Sequence, residues 1–205
     1  KIAGSAQFNG HSALVTEISD PDSGNKIFAR DYVGNGDGTR LSFGAESVDK
    51  DTGSLLSISR NDPSSVSVPR RFKIGETLTT QYKVNSTASG ISTTSNITVT
   101  TRLLGKEPIT VPAGTYNACK FEVTTETKTT SSTLNTQTLT TGFSWSDSEV
   151  GQVKTEYEGT TTTTIYGYSN TEENRATSEL VEVQMGPVTY EGTVGILFLF
   201  MAGAH

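Results

Sequence analysis

The sequence predicts an all-β protein with little helix, and three observations predict it. Only 33% of the 205 residues are hydrophobic and 19% charged, the difference having gone to Thr, Ser, Asn and Gly. Thr suits a half-exposed pleated surface, and the mixture is poor helix material. Turn signals recur at roughly the 8–12-residue spacing of an antiparallel meander. No segment carries a convincing helical period, whereas period-two alternation recurs.

The elements follow in order. Asn9-Gly10 is a turn that runs into a strand through Ile18, and Asp20–Asn25 is a loop. Lys26–Val33 and Thr39–Glu46 are strands joined by a tight turn at Gly34–Gly38, and Asp49–Gly53 turns again before Ser54–Ser59. Asn61–Arg71 carries Pro63 and Pro69 and reads as a longer crossing loop, the only candidate domain boundary. Phe72–Thr77 re-enters the sheet, and Thr79–Val84 and Ile91–Leu104 are long strands.

Pro108–Val123 is the clearest hairpin. Ile109 and Val111 alternate with Thr110, and Pro112-Ala113-Gly114 supplies the turn, Pro fixing φ and Gly accepting a positive one. Beyond it Cys119, Phe121 and Val123 alternate with Ala118, Lys120 and Glu122, which predicts one buried face. Thr124–Thr140 is nearly low-complexity; it fits either disorder or an exposed hairpin turning near Ser131-Ser132. Thr133–Trp145 is a strand. Gly151–Tyr157 and Thr160–Tyr168 read as a pair about Glu158-Gly159, Ser169–Arg175 as a polar loop, and Glu179–Met185 as a final strand. Phe28, Tyr32, Phe43, Leu55, Val111, Phe121, Trp145 and Val153 are among the expected core residues.

Charge and cysteine content narrow the partners. A net charge of -6, with no basic cluster larger than Arg70-Arg71, argues against nucleic acid and against an anionic membrane surface. One cysteine allows no intrachain disulfide. The Thr-, Ser- and Gly-rich, Lys-poor composition points to an exported bacterial protein of the periplasm, cell surface or exterior. The start at Lys1, without an initiator Met, reads as a processed mature end.

Several motifs resemble a family of small bacterial periplasmic and lipoprotein-type β proteins of unknown function. They are Val111-Pro112-Ala113-Gly114-Thr115-Tyr116, Phe143-Ser144-Trp145, Val150-Gly151-Gln152-Val153-Lys154, Ile74-Gly75-Glu76-Thr77 and the early turn Asn9-Gly10-His11-Ser12-Ala13. The resemblance covers roughly residues 8–185. It implies a strongly curved, mainly antiparallel sheet, similar to the half-barrel of lipoprotein carriers; a sandwich-like arrangement is the other option. It implies no catalytic residues and no cofactor. Family members carry one more strand before the Asn-Gly turn, and this chain begins almost at that turn. The resemblance therefore implies a sheet with an open edge.

Catalytic chemistry finds few carriers. His11 and His205 are the only histidines, so any nucleophile–histidine site must use one of them. His11 reads as a solvated loop residue beside a turn, and Cys119 as a buried, inert thiol. Glu156 and Glu158 share a strand face, as a glycosidase pair would, but a solvated face explains them equally. Asp31, Asn35 and Asp37 are weak calcium candidates; Val33 stands where the loop pattern wants an acid, so no metal site is assigned. The chain is read as not an enzyme.

Residues 1–185 form one β domain, and 186–205 differ from it. Gly195–Ala204 has no polar side chain and is too short for a transmembrane helix of about 20 residues. As a strand it is apolar on both faces. Val194, Ile196, Leu197, Phe198, Leu199, Phe200 and Met201 are the candidate self-association residues, donated within the chain or to a second copy. The expected function is a non-enzymatic, exported structural subunit that assembles into rings or fibres. The alternative is a monomeric envelope protein that binds an apolar ligand or partner in a concave sheet.

Overall fold

The computed structural model describes residues 2–20, 24–36, 39–69, 72–131, 134–148 and 150–180. They form β1 (Ile2–Phe8), β2 (His11–Asp20), β3 (Lys26–Gly36), β4 (Thr39–Val48), β5 (Leu55–Pro69), β6 (Thr77–Ala88), β7 (Ile91–Val111), β8 (Gly114–Thr130), β9 (Leu134–Asp147), β10 (Gly151–Ile165) and β11 (Tyr168–Glu179). All eleven lie in one sheet in sequence order, each antiparallel to the next. The sheet is not closed into a barrel, and the described residues include no helix. It is the expected all-β, antiparallel, strongly curved sheet, and a single sheet rather than a sandwich.

Strands β1–β5 roll up on themselves. Phe8 on β1 stacks on Tyr32 of β3 with ring centroids 3.8 Å apart, and the Arg60 guanidinium of β5 lies 5.9 Å from the Phe8 ring. In a flat sheet β1 and β5 would stand about 19 Å apart. Register shifts break the β3/β4 ladder between Tyr32 and Val33 and the β4/β5 ladder between Ser42 and Gly44. Each such irregularity adds local twist and bends the strand. Gly44 lies where the roll is tightest: a Cβ there would sit 2.1 Å from the Ser59 carbonyl and 2.9 Å from the Phe8 ring. Phe8, Ala13, Val15, Tyr32 and Phe43 fill the inside of this roll.

A second core closes the base of β7–β10. Val111, Ala118, Trp145, Val153 and Leu180 are buried together. The Leu180 N–H donates to the Val153 carbonyl at 2.8 Å, and the Ala113 N–H donates to the Leu180 carbonyl at 3.1 Å. The chain leaving β11 is thereby drawn across to the β7–β8 turn. On the other face Phe72 packs edge-on against Phe121 at 5.9 Å.

Several sequence expectations are corrected. Ile2–Phe8 is a strand, so the Asn9-Gly10 turn is preceded by one after all. Asn61–Pro69 is not a loop but the second half of β5: its pairing with β6 ends at Asp62, and Val66 and Pro69 continue along β4. Proline has no N–H to donate, and Pro63 stands where the partner strand is lost. Glu158-Gly159 is not a turn; β10 runs through it, and Gly159 is required because a Cβ would sit 2.4 Å from the Leu139 carbonyl. Ser169–Arg175 is the middle of β11, an edge strand that needs no apolar face. Thr124–Thr140 is the hairpin rather than disorder, with Thr130 paired to Asn135. Phe28 and Leu55 are exposed, not core. Ala118, read as the solvent side of the hairpin, is 0% exposed, so both hairpin faces are covered at the base. Cys119 is only half-buried.

Candidate functional site

The densest grouping of charged and aromatic side chains sits on one face of β7–β11, at the base. Antiparallel register places Lys120, Trp145, Lys154 and Glu179 side by side on four successive strands. Glu122, Phe143, Glu156 and Thr177 form the next row. A strand shows alternate residues to one face, so the two rows share a face two residues apart.

Trp145 organises the rows. Its ring is buried, and its Nε1–H donates to Glu107 Oε1 at 2.7 Å. Lys120 Nζ lies 5.0 Å from the Trp145 ring and 4.9 Å from that of Phe143, with 3.1 Å to Glu107 Oε1. Lys154 Nζ approaches Trp145 from the far side at 5.9 Å and bridges Glu156 and Glu179, each at 2.9 Å. Ammonium groups over aromatic faces are attracted by the ring quadrupole. The Trp145 N–H, and then the Lys120 ammonium, hold the Glu107 carboxyl below the usual carboxylate range. The hydrogen bonds that Lys154 donates to Glu156 and Glu179 hold it above the usual lysine value.

Beyond this ladder the same face opens into a hollow of about 330 Å³, lined by Glu122, Thr141, Phe143, Glu156, Glu158 and Arg175. A second hollow of about 560 Å³ adjoins it, sharing Thr141, Glu158 and Arg175. Three carboxylates and one guanidinium beside a phenyl ring can hold a polar ligand by hydrogen bonds. Neither hollow has a histidine, cysteine or serine among its lining residues; Glu156 and Glu158 lie two residues apart on the shared face.

Among the described residues, the sequence-predicted pair Glu156 and Glu158 does line the first hollow, on one strand face, but the other candidates do not converge on it. His11 is the first residue of β2 rather than a loop residue, and its ring stacks on Phe43 at 4.4 Å, remote from the hollows. Cys119 alternates with Ala118 and Lys120 and so faces away from them. Asp31 and Asn35 both lie on β3, four residues apart, about 13 Å by the strand rise. Calcium ligands sit about 2.3–2.6 Å from the ion, so these two cannot share one. Burial raises the Asp31 carboxyl's pKa, and the nearby Arg40 charge opposes the rise. Among the described residues no group of three His, Cys, Asp or Glu is placed to hold a metal. Asp37, His205 and the self-association residues Val194, Ile196, Leu197, Phe198, Leu199, Phe200 and Met201 lie outside the described residues. The sequence marks Phe143 and Trp145 as an aromatic motif, with Trp145 in the core, and leaves the ladder unseen. Period-two spacing of Lys120 with Glu122 and of Lys154 with Glu156 was the available signal, but cross-strand register decides that they meet.

No curated protein and no solved structure matches the chain. The DUF3108-like family matches residues 59–166. That span is just over half of the chain; it runs from the middle of β5 to the end of β10 and includes Glu107, Lys120, Phe143, Trp145 and Lys154. By this match the chain belongs to the DUF3108-like family.

Proposed function

We propose that the protein is a non-enzymatic, exported structural subunit whose apolar C-terminal segment, residues 194–201, adds as a strand to the sheet edge of a second copy. The observation that carries this reading is the contrast between the two sheet edges. Among the described residues β1 and β11 each pair on one side only. β11 carries Glu172, Glu173, Arg175 and Glu179, and charged side chains protect an edge from further pairing. β1 has no charged residue, and Ala3, Gly4, Ser5 and Ala6 are small and exposed. Among the described residues the outer side of β1 has no strand partner, so its backbone donors and acceptors there can take an incoming strand. Ile196–Met201 supplies six large apolar side chains at about 1.5–3 kcal/mol each, on the order of 10 kcal/mol before ordering costs. Head-to-tail donation of this kind makes rings when it closes and fibres when it does not.

The alternative, an apolar ligand in a concave cup, is less well supported. The interior of the β1–β5 roll is filled by Phe8, Tyr32 and Phe43, and the hollows on β8–β11 are lined largely by polar groups.

Size-exclusion chromatography with light scattering, and negative-stain microscopy, test the proposal. Full-length protein should assemble. Deletion of residues 186–205, or Leu197→Lys with Leu199→Lys in the full chain, should give a folded monomer. A monomeric full-length protein at high concentration overturns strand donation.

A further inference from the structure

We propose that the far end of the sheet, the hairpin tips around Ile165–Tyr168, is a docking surface for the interfacial zone of a lipid bilayer. This inference is independent of strand donation, because the tips lie at the opposite end of the long strands from the base where the chain leaves β11.

Tyr166 is 79% exposed, Tyr168 85% and Ile91 63%. Pairing of Leu134 with Ile165, and of Ile165 with Tyr168, aligns three apolar side chains across β9, β10 and β11. Ile91, at the tip of β6–β7, falls on the same face by register, since Thr94 pairs with Thr130 and Thr130 with Asn135. Around these residues the tips are uncharged. Residues 85–96, 129–137 and 160–171 contain no Asp, Glu, Lys, Arg or His. Down the strands from Tyr168, the nearest charged side chains are level with Lys128 and Glu172, three and four residues away, or about 10–13 Å. An interfacial segment sinks about 5–10 Å into the headgroup and acyl boundary. The tips can therefore enter to that depth without burying a charge, and tyrosine is a residue type that favours this zone.

The turn geometry gives an independent observation. Three two-residue hairpin turns have both central residues at positive φ: Asn9-Gly10, Ser89-Gly90 and Tyr166-Gly167. Asn and Gly are the usual residues there. A bulky Tyr166 at φ 48 is conformationally costly, and the turn itself gains nothing from it. The cost is explained if the phenol is needed where the turn projects it. A protein partner fits less well. The exposed parts of these side chains amount to on the order of 500 Å², short of the roughly 800 Å² per partner in a stable interface.

The test uses the full chain and sucrose-loaded phosphatidylcholine vesicles. The wild type should co-sediment, with little dependence on salt. Tyr166→Asn with Tyr168→Ser should lower the partition coefficient at least about tenfold while leaving the far-UV circular dichroism and Trp145 emission unchanged, since Asn suits the turn better than Tyr. In Tyr168→Trp, the introduced indole should be quenched by brominated lipid, whereas the buried Trp145 should not. The proposal is overturned if the wild type stays in the supernatant, if the double variant sediments like the wild type, or if the new indole is not quenched. Concentration-dependent self-association that the double variant abolishes, with no vesicle binding, overturns it in favour of a second copy.

Discussion

The Asn9 side-chain amide donates to the Asn61 carbonyl at 3.0 Å, joining the β1–β2 turn to β5. In a flat sheet those elements would stand about 14–19 Å apart. This contact pins the roll of β1–β5 shut at its rim. The Asn61 amide in turn donates to the Ser42 carbonyl at 3.0 Å, the Ser42 hydroxyl at 3.2 Å and the Ser65 hydroxyl at 3.1 Å.

Asn61→Ala should therefore destabilise the protein by about 1–3 kcal/mol, because it removes three hydrogen bonds and leaves half-buried acceptors on Ser42 and Ser65 without that donor. Urea unfolding measures this. A loss below about 0.5 kcal/mol would mean that water replaces the amide at no cost.

Leu180 fills the base core and is 2% exposed. Leu180→Ala should cost about 2–5 kcal/mol through lost burial and the cavity left behind. The backbone bond from Ala113 to Leu180 should survive, so amide exchange at Ala113 should accelerate only as much as global stability falls. Selective loss of its protection would show that the side chain alone holds the crossing.

Glu107 is held below its ordinary pKa by Trp145 and Lys120. A carboxylate with a depressed folded pKa contributes stability above its unfolded pKa of about 4.3, and that contribution is lost as pH falls through the folded value. Wild-type stability should thus decline below about pH 4 partly through this group. Glu107→Gln should make the acid decline shallower while lowering stability at neutral pH. Identical pH profiles for the two proteins would remove Glu107 from the account. Trp145, the only tryptophan, reports the transition directly.

Tyr32 has its pKa pushed up to about 12, first by burial and then by the hydrogen bond it donates to Glu46 at 2.8 Å. Its folded value exceeds the unfolded one, near 10, so its contribution is complete below pH 10 and is lost as pH rises towards 12. Tyr32→Phe keeps the stack on Phe8 and should flatten stability in that alkaline window. Ultraviolet titration should lose its most alkaline tyrosine step in the same variant; an unchanged titration would contradict the assignment.

Much of the architecture was legible in the sequence, for reasons local to each element. Turn chemistry marks a turn at Asn9-Gly10 and a hairpin at Pro112-Ala113-Gly114, because Pro fixes φ and Gly accepts the positive φ that other residues avoid. Alternation at Cys119, Phe121 and Val123 marks a strand because its side-chain period is two. The all-β class and the long Thr-rich strands follow from those local preferences alone. Tertiary structure decided what depends on neighbours. Pro63 and Pro69 read as loop residues, yet β5 runs through them, because a proline costs nothing where no partner asks for its N–H. Gly159 read as a turn, yet it sits mid-strand, because the β9 backbone passes too close for a Cβ. Ser169–Arg175 read as a loop because an edge strand buries neither face and so shows no apolar alternation. The Glu107–Trp145–Lys120 ladder was hidden for the same kind of reason. Its members lie 13 to 38 positions apart in a chain of 205, and only the register of three paired strands brings a carboxylate, an indole and an ammonium to one place.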